Sequence, residues 1–208
     1  NAKSGVLPPE GFKSTILALE FAQDNAVIER VFQWSDSTMV HYKLQCFDLG
    51  VNLDYLFILA YGGFMLFFAL ESRRQGLKTY WLGLALGIIA VFADVMENSR
   101  LKAIFQLAEG GQYDFTAHFA WLHFWTCLKF FAIGAYFLAF APLLWRGNWL
   151  GKMSVLAACA ALFFWVAAGF YQPEFWADTM FSMIFFAFAG AMLFGLRYRV
   201  EPQNDPSL

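Results

Sequence analysis

Charge is what this sequence has least of. Only 14% of its 208 residues are Asp, Glu, Lys or Arg, against about 25% in a soluble domain. The hydrophobic share is 60% and the aromatic share 20%, where soluble domains are about 45–50% apolar. A chain this poor in charge reads as a membrane protein. Basic runs are missing as well. With a net charge of −2 and no recognition motif, nothing points to a nucleic-acid partner.

Cysteine is scarce. Cys46, Cys127 and Cys159 lie far apart with no CxxC spacing, which argues against a disulfide framework or a thiolate metal site. Cys127 and Cys159 fall in apolar runs and read as core residues. No single helix carries HxxxH or ExxH, so no metal site is expected. No nucleophile motif surrounds Ser99, no internal repeat is visible, and no motif names a cofactor.

What the sequence does have is long apolar runs. A helix needs about 20 residues to cross the hydrocarbon core. Five candidates appear, at about 51–70, 79–99, 118–144, 153–171 and 179–196. The predicted fold is therefore an all-α polytopic membrane helix bundle with five transmembrane helices. The intervening charges set its orientation. Arg73, Arg74 and Lys78 follow the first span, Arg146 and Lys152 the third, and Arg197 and Arg199 the fifth. The alternate loops carry Glu174 and Asp178 without a base, or balanced charge between Arg100 and Ala117. By the positive-inside rule the N-terminus lies outside and the C-terminal tail, 200–208, in the cytoplasm, as in a bacterial inner membrane.

Residues 1–50 are then outer-side amphipathic helices and loop. They are too few to bury a core of their own. "STILALEFAQ" and "NAVIERVFQW" read as two short amphipathic helices, with Asp24 as an N-cap between them. They lie along the membrane surface or over the mouth of the bundle. His41 reads as a solvated loop residue. Trp34, Trp81, Trp121, Trp145, Trp149 and Trp176 fall near predicted interfaces, as in an aromatic belt.

Two stripes of small residues mark packing faces: Gly83, Gly87 and Ala90 on the second span, and Ala187, Ala191 and Gly195 on the fifth. The first stripe leads outward to "ADVMEN". Asp94, Glu97 and Asn98 share one helix face there, after fifteen uncharged residues from Thr79 to Ala93. Asp94 lies about 9 Å below Arg100 at 1.5 Å per residue. On the third span Lys129 lies about 16 Å below His118, and His118, Leu122, Trp125 and Lys129 share a stripe. Side chains lean toward helix N-termini, so Lys129 and the two acids converge in depth. Asp54 stands near the outer end of the first span, with Tyr61 two turns deeper. Glu20 sits on the apolar side of the first short helix and can cap the group from above. His123 and Thr126 add polar groups.

Glu20, Asp54, Tyr61, Asp94, Glu97, Asn98, His118, His123 and Lys129 thus form a candidate polar cluster. An uncompensated intramembrane charge costs several kcal/mol. One acid can pair with Lys129. The others must be protonated, hydrated, paired with His or with Arg100 and Lys102, or bound to a cation. The cluster admits two readings. One is an outward-facing pocket for a small polar or cationic ligand or lipid head group. The other is an interhelical clasp in an accessory subunit, whose fourth and fifth spans would dock on other membrane subunits.

"ILALEFA", "LDYLFILAY", "ADVMEN" and the later "LK" together resemble a family of small bacterial integral membrane proteins of uncharacterised activity, over roughly residues 14–140. Members of that family tend to show Phe-Glu-Leu-Ala where this chain has Leu19-Glu20-Phe21-Ala22. The resemblance implies polar positions at Glu20, Asp54, Tyr61, Asp94, Glu97, Asn98 and Lys129. It implies no activity, and it does not reach the fourth and fifth spans.

Overall fold

The computed structural model describes residues 12–32, 37–171 and 173–197. Of these residues 88% are helical, and none is in a strand. The same residues form eight helices: α1 Thr15–Glu20, α2 Asn25–Phe32, α3 Ser37–Arg74, α4 Tyr80–Glu109, α5 Thr116–Ala139, α6 Ala141–Arg146, α7 Trp149–Phe170 and α8 Pro173–Arg197. Of these, α3, α4, α5, α7 and α8 are long and apolar enough to cross a membrane. This is the expected all-α polytopic bundle. Residues 200–208 and Trp34 lie outside the described residues.

The helix limits differ from the hydropathy runs for local reasons. The third run is two helices. α5 stops at Ala139, and α6 opens with Pro142 in its first turn. Proline has no N–H to give, and its ring would clash with the carbonyl four residues back. α7 begins at Trp149, four residues before the apolar run, because Asn148 Oδ1 accepts from the amides of Leu150 and Gly151 at 3.1 and 3.3 Å. That capping satisfies two otherwise orphaned donors. α4 continues ten residues past the expected end, to Glu109, and stops at Gly110 and Gly111. Gly111 has φ 74°, a left-handed conformation natural only to glycine.

The largest departure is at the N-terminal side. α3 starts at Ser37 and is 38 residues long, about 57 Å at 1.5 Å per residue. His41 is thus not in a loop. It stands exposed on α3, with a ring nitrogen 2.9 Å from the Gln45 amide. The N-terminal segment buries a core after all, by sharing one. Ile28, Val31 and Phe32 of α2 pack with Leu44 and Val51 of α3, Leu101, Ile104 and Phe105 of α4, and Phe115 and Phe119 around the start of α5. Length alone excluded a separate core for residues 1–50; it did not exclude a shared one. Asp24 caps α2 as expected, accepting from the Val27 amide at 3.0 Å. The buried Lys43 ammonium donates to the Phe32 carbonyl at its other end, where a cation also suits the helix dipole.

Packing follows chain order. α3 lies on α4, α4 on α5, α5 on α7 and α7 on α8. The α3–α4–α5 side is drawn tight by small residues. The Tyr136 side chain of α5 passes Gly87 of α4 and donates to the Met65 carbonyl of α3 at 2.6 Å. Gly83 leaves room for the Phe140 ring, and Ala90 is fully buried. The stripe on α8 is shorter than expected. Ala187 and Ala191 are buried, but Gly195 is exposed and a side chain there would meet nothing. Cys159 likewise lies on an exposed face of α7 rather than in the core. Trp81, Trp121, Trp145 and Trp149 are exposed, while Trp176 stacks on Phe164.

The five long helices thus form an open ring. Its seam lies between α3 and α8, which meet through side chains: Tyr61 and Phe64 of α3 against Phe188 of α8. α1 lies over one end of the seam, touching α4, α5 and α8. The Lys13 amide, just before α1, donates to Asp178 of α8 at 2.7 Å.

Candidate functional site: a capped intramembrane charge cluster

Beneath α1 the structure gathers one cation and three anions from three elements. Lys129 Nζ of α5 lies 2.6 Å from Glu97 Oε2, 3.3 Å from Asp94 Oδ1 and 3.3 Å from Glu20 Oε1. Asp94 and Glu97 reach it because positions three apart on α4 project from one face, at the C-terminal end of the small-residue stripe. Glu20 reaches it from the last turn of α1. Thr126 fixes that turn by donating to the Glu20 carbonyl at 3.0 Å. Phe21 stacks on Phe130, 6.0 Å between ring centres, and holds the segment down. The Lys129 ammonium also lies 4.6 Å from the centre of the Phe130 ring, a favourable position for a cation.

The cluster extends to α3. Tyr61 donates to Asp94 Oδ2 at 2.8 Å. Asn98 donates to Asp54 Oδ2 at 2.7 Å. Seven of the nine candidate residues, all but the histidines, thus fall into two neighbouring bonded groups, five centred on Lys129 and the Asp54–Asn98 pair. His123 faces elsewhere, edge-on to Phe21 and 3.5 Å from Cys127 Sγ. The buried Nδ1 of His118 has no hydrogen-bond partner among the described residues, eleven residues up the helix from Lys129. Lys102 is engaged away from the cluster, by Asn52 at 2.6 Å and over the Tyr55 ring. Ser99 donates to the Val95 carbonyl of its own helix, so it does not stand as a nucleophile beside a base.

The cluster is nearly dry. The Lys129 side chain is 7% exposed, that of Glu20 13% and that of Glu97 0%. Three carboxylates against one ammonium leave two negative charges uncompensated if all are ionised. Two carboxylate oxygens, Glu20 Oε2 and the fully buried Glu97 Oε1, have no hydrogen-bond partner among the described residues. Glu20, the one of these acids outside the membrane-crossing helices, has its carboxyl pushed up to about 7. Burial is the main cause, the neighbouring Asp94 and Asp54 carboxylates add to it, and Lys129 opposes it. It therefore titrates near neutral pH.

The cluster opens into a cavity of about 500 Å³ that lies along the α3–α8 seam. Glu20, Asp54, Tyr61, Asp94 and Lys129 line one end. The rest is apolar and rich in aromatics, with Phe57 and Phe64 from α3 and Phe181, Phe185 and Phe188 from α8. Sequence reading missed this wall, because lipid-facing and cavity-facing Phe look alike in a run of Phe. A second groove, of about 650 Å³ between α3 and α4, is lined by apolar residues and Tyr136, whose hydroxyl is already bonded. It offers no polar group to a ligand.

This is a helical protein of the membrane-spanning kind with a buried Lys–Asp–Glu cluster. No family model, no curated protein and no solved structure matches the chain. What the cluster can do is thus set by its own geometry.

Proposed function

We propose that the protein is a membrane binding protein whose capped charge cluster holds the polar or cationic head of a small ligand. The observation that carries this reading is Glu20, which lines the cavity and whose buried Oε2 has no hydrogen-bond partner among the described residues. A cluster meant only to clasp helices gains nothing from carboxylates that outnumber their cation. Each buried polar atom left unpaired costs about 1–3 kcal/mol. A ligand with hydrogen-bond donors would offset that cost on binding. Intramembrane ionisable groups are by default functional sites.

The orientation comes from charge. Arg73, Arg74, Lys78, Arg146 and Lys152 gather at the end of the bundle opposite α1. The positive-inside rule puts that end in the cytoplasm and α1 with the cluster on the outer side. Glu20 and Thr126 make α1 the cap of an outward-facing pocket.

Native mass spectrometry of the protein, extracted from its own membranes in mild detergent, tests this reading. A small bound mass that is lost in Glu97→Gln supports it. Co-purifying polypeptides with no bound mass would instead favour an accessory subunit. The outer faces of α7 and α8, where Phe163, Phe170 and Phe186 are exposed, would then be the docking surface, and the cluster a clasp.

A further inference from the structure

A head group held in the cluster needs a way in, and the rest of the ligand needs a place to lie. We infer that the ligand is an amphipathic amine that enters sideways from the bilayer, its ammonium on the carboxylates and its hydrocarbon tail in the seam between α3 and α8. The inference rests on the proposed head-binding site and adds a tail site and a route.

Three observations carry it. The first is the shape of the cavity. Its polar lining is confined to the end under α1, and its apolar lining runs on along α8 from Phe181 to Met192. Eleven residue steps are about 16 Å of depth. A small hydrophilic ligand would leave most of that length to lipid. A chain with a charged head fills both parts, with the head toward the membrane surface and the tail toward the bilayer centre.

The second is access. α1 covers the polar end, tied to α5 through Thr126 and to α8 through Asp178. From the aqueous side the way is shut by this cap. From the side it is not. α3 and α8 meet through Phe64, Tyr61 and Phe188 rather than along packed backbones. Phe57, Phe185 and Met192, on the rim of the seam, are exposed. Parting two helices that touch by aromatic side chains breaks no backbone hydrogen bond.

The third is the sign of the head. Lys129 is already shared among three carboxylates, and Asp54 adds a fourth at the cavity wall. An anionic head would meet that excess and be repelled. A neutral hydroxyl could satisfy one orphaned oxygen but not the charge. An ammonium supplies donors to the unpartnered Glu20 Oε2 and reduces the net negative charge in a site shielded from water, where charge-assisted hydrogen bonds are strongest.

The test uses the full chain in lipid nanodiscs, with empty nanodiscs as the background. Saturable binding is measured for tritiated dodecylamine, dodecanol and propylamine. It is measured again after Ala60→Trp combined with Ala189→Trp. Both alanines line the seam away from the charges, and on this partly open face the larger side chains fill the tail site without entering the core. Dodecylamine is expected to bind at least tenfold more tightly than dodecanol, and the tryptophan pair to weaken dodecylamine at least tenfold while leaving propylamine unchanged. Dodecylamine binding untouched by the tryptophans would overturn the tail site and leave the head site standing. Equal binding of dodecanol would overturn the choice of an amine. If no amine binds, the head-binding reading fails as well.

Discussion

Replacing Lys129 by Met removes the ammonium that three carboxylates share and keeps a side chain of similar length. At an effective dielectric of about 20, each contact at 3.3 Å is an attraction of about 5 kcal/mol, and the contact at 2.6 Å about 6. These gross figures are offset by the repulsion among the acids and by the desolvation of all four groups. The net cost is therefore expected to be what breaking a buried pair costs, about 3–5 kcal/mol. For a chain of this length that is on the order of 10 °C in Tm, measured by scanning fluorimetry in mild detergent. A drop alone would not prove the electrostatic cause, since the Lys129 stem also packs beside Phe130. The double variant Lys129→Met with Glu97→Gln separates the two. If the cost is uncompensated charge, removing the most closely held carboxylate should return about 1–3 kcal/mol, a coupling of the size seen between residues in contact. Strict additivity of the two substitutions would refute the electrostatic account and leave lost packing as the cause.

Glu20 supplies a pH signature. Its carboxyl is raised from 4.5 to about 7 in the folded protein, so its neutral form stabilises the fold. That contribution is present in full below about pH 4.5 and is lost as pH rises through 7. Wild type should lose on the order of 3 kcal/mol across this window relative to Glu20→Gln, and a Tm difference between the two that stays flat from pH 5 to 8 would contradict it. Gly151→Ala should destabilise by about 1–3 kcal/mol, because the new Cβ would run into the Leu144 carbonyl where α6 turns into α7; wild-type Tm and expression in the variant would show that this joint yields. Asn25→Ala removes bonds to the Phe115 amide and the Asp114 side chain. It should cost about 1 kcal/mol and speed proteolysis of the 110–116 connection, seen as a new cleavage product; an unchanged digestion pattern would argue against a tethering role.

The charge cluster was legible in the sequence because helical period and rise fix both face and depth. Asp94, Glu97 and Lys129 converge for that reason, and Glu20 betrays itself as one acid on an otherwise apolar stripe. The two histidines show the limit of the same reasoning. His118 shares a stripe with Lys129, but eleven residues set it about 16 Å away along the axis. His123 is closer in depth but turned about 120° around the helix. Sharing a face or a depth is not enough; a site needs both. The start of α3 was hidden for another reason. His41, Lys43, Gln45 and Asp48 break the hydropathy run, and only the core contributed by α2, α4 and α5 makes a helix of this stretch.

The cavity was the least legible feature, and the reason bears on function. Burial on α4 and α5 leaves a polar trace in the sequence, since a buried Asp or Lys must find a partner. The α8 wall leaves none: Phe181, Phe185 and Phe188 read as any lipid-facing stripe would. Whether such a stripe meets lipid or lines a pocket depends on how closely the next helix approaches, a property of the whole ring. Here the ring closes tightly where glycine and alanine allow it, at Gly83, Gly87 and Ala90, and stays parted at α3 and α8, where both faces carry Phe. Small residues on one side of the bundle and bulky ones on the other thus divide it into a clamped half that fixes the charges and a loose half that opens beside them. Substitutions in the first half should act on stability, and those in the second on what the cluster can hold.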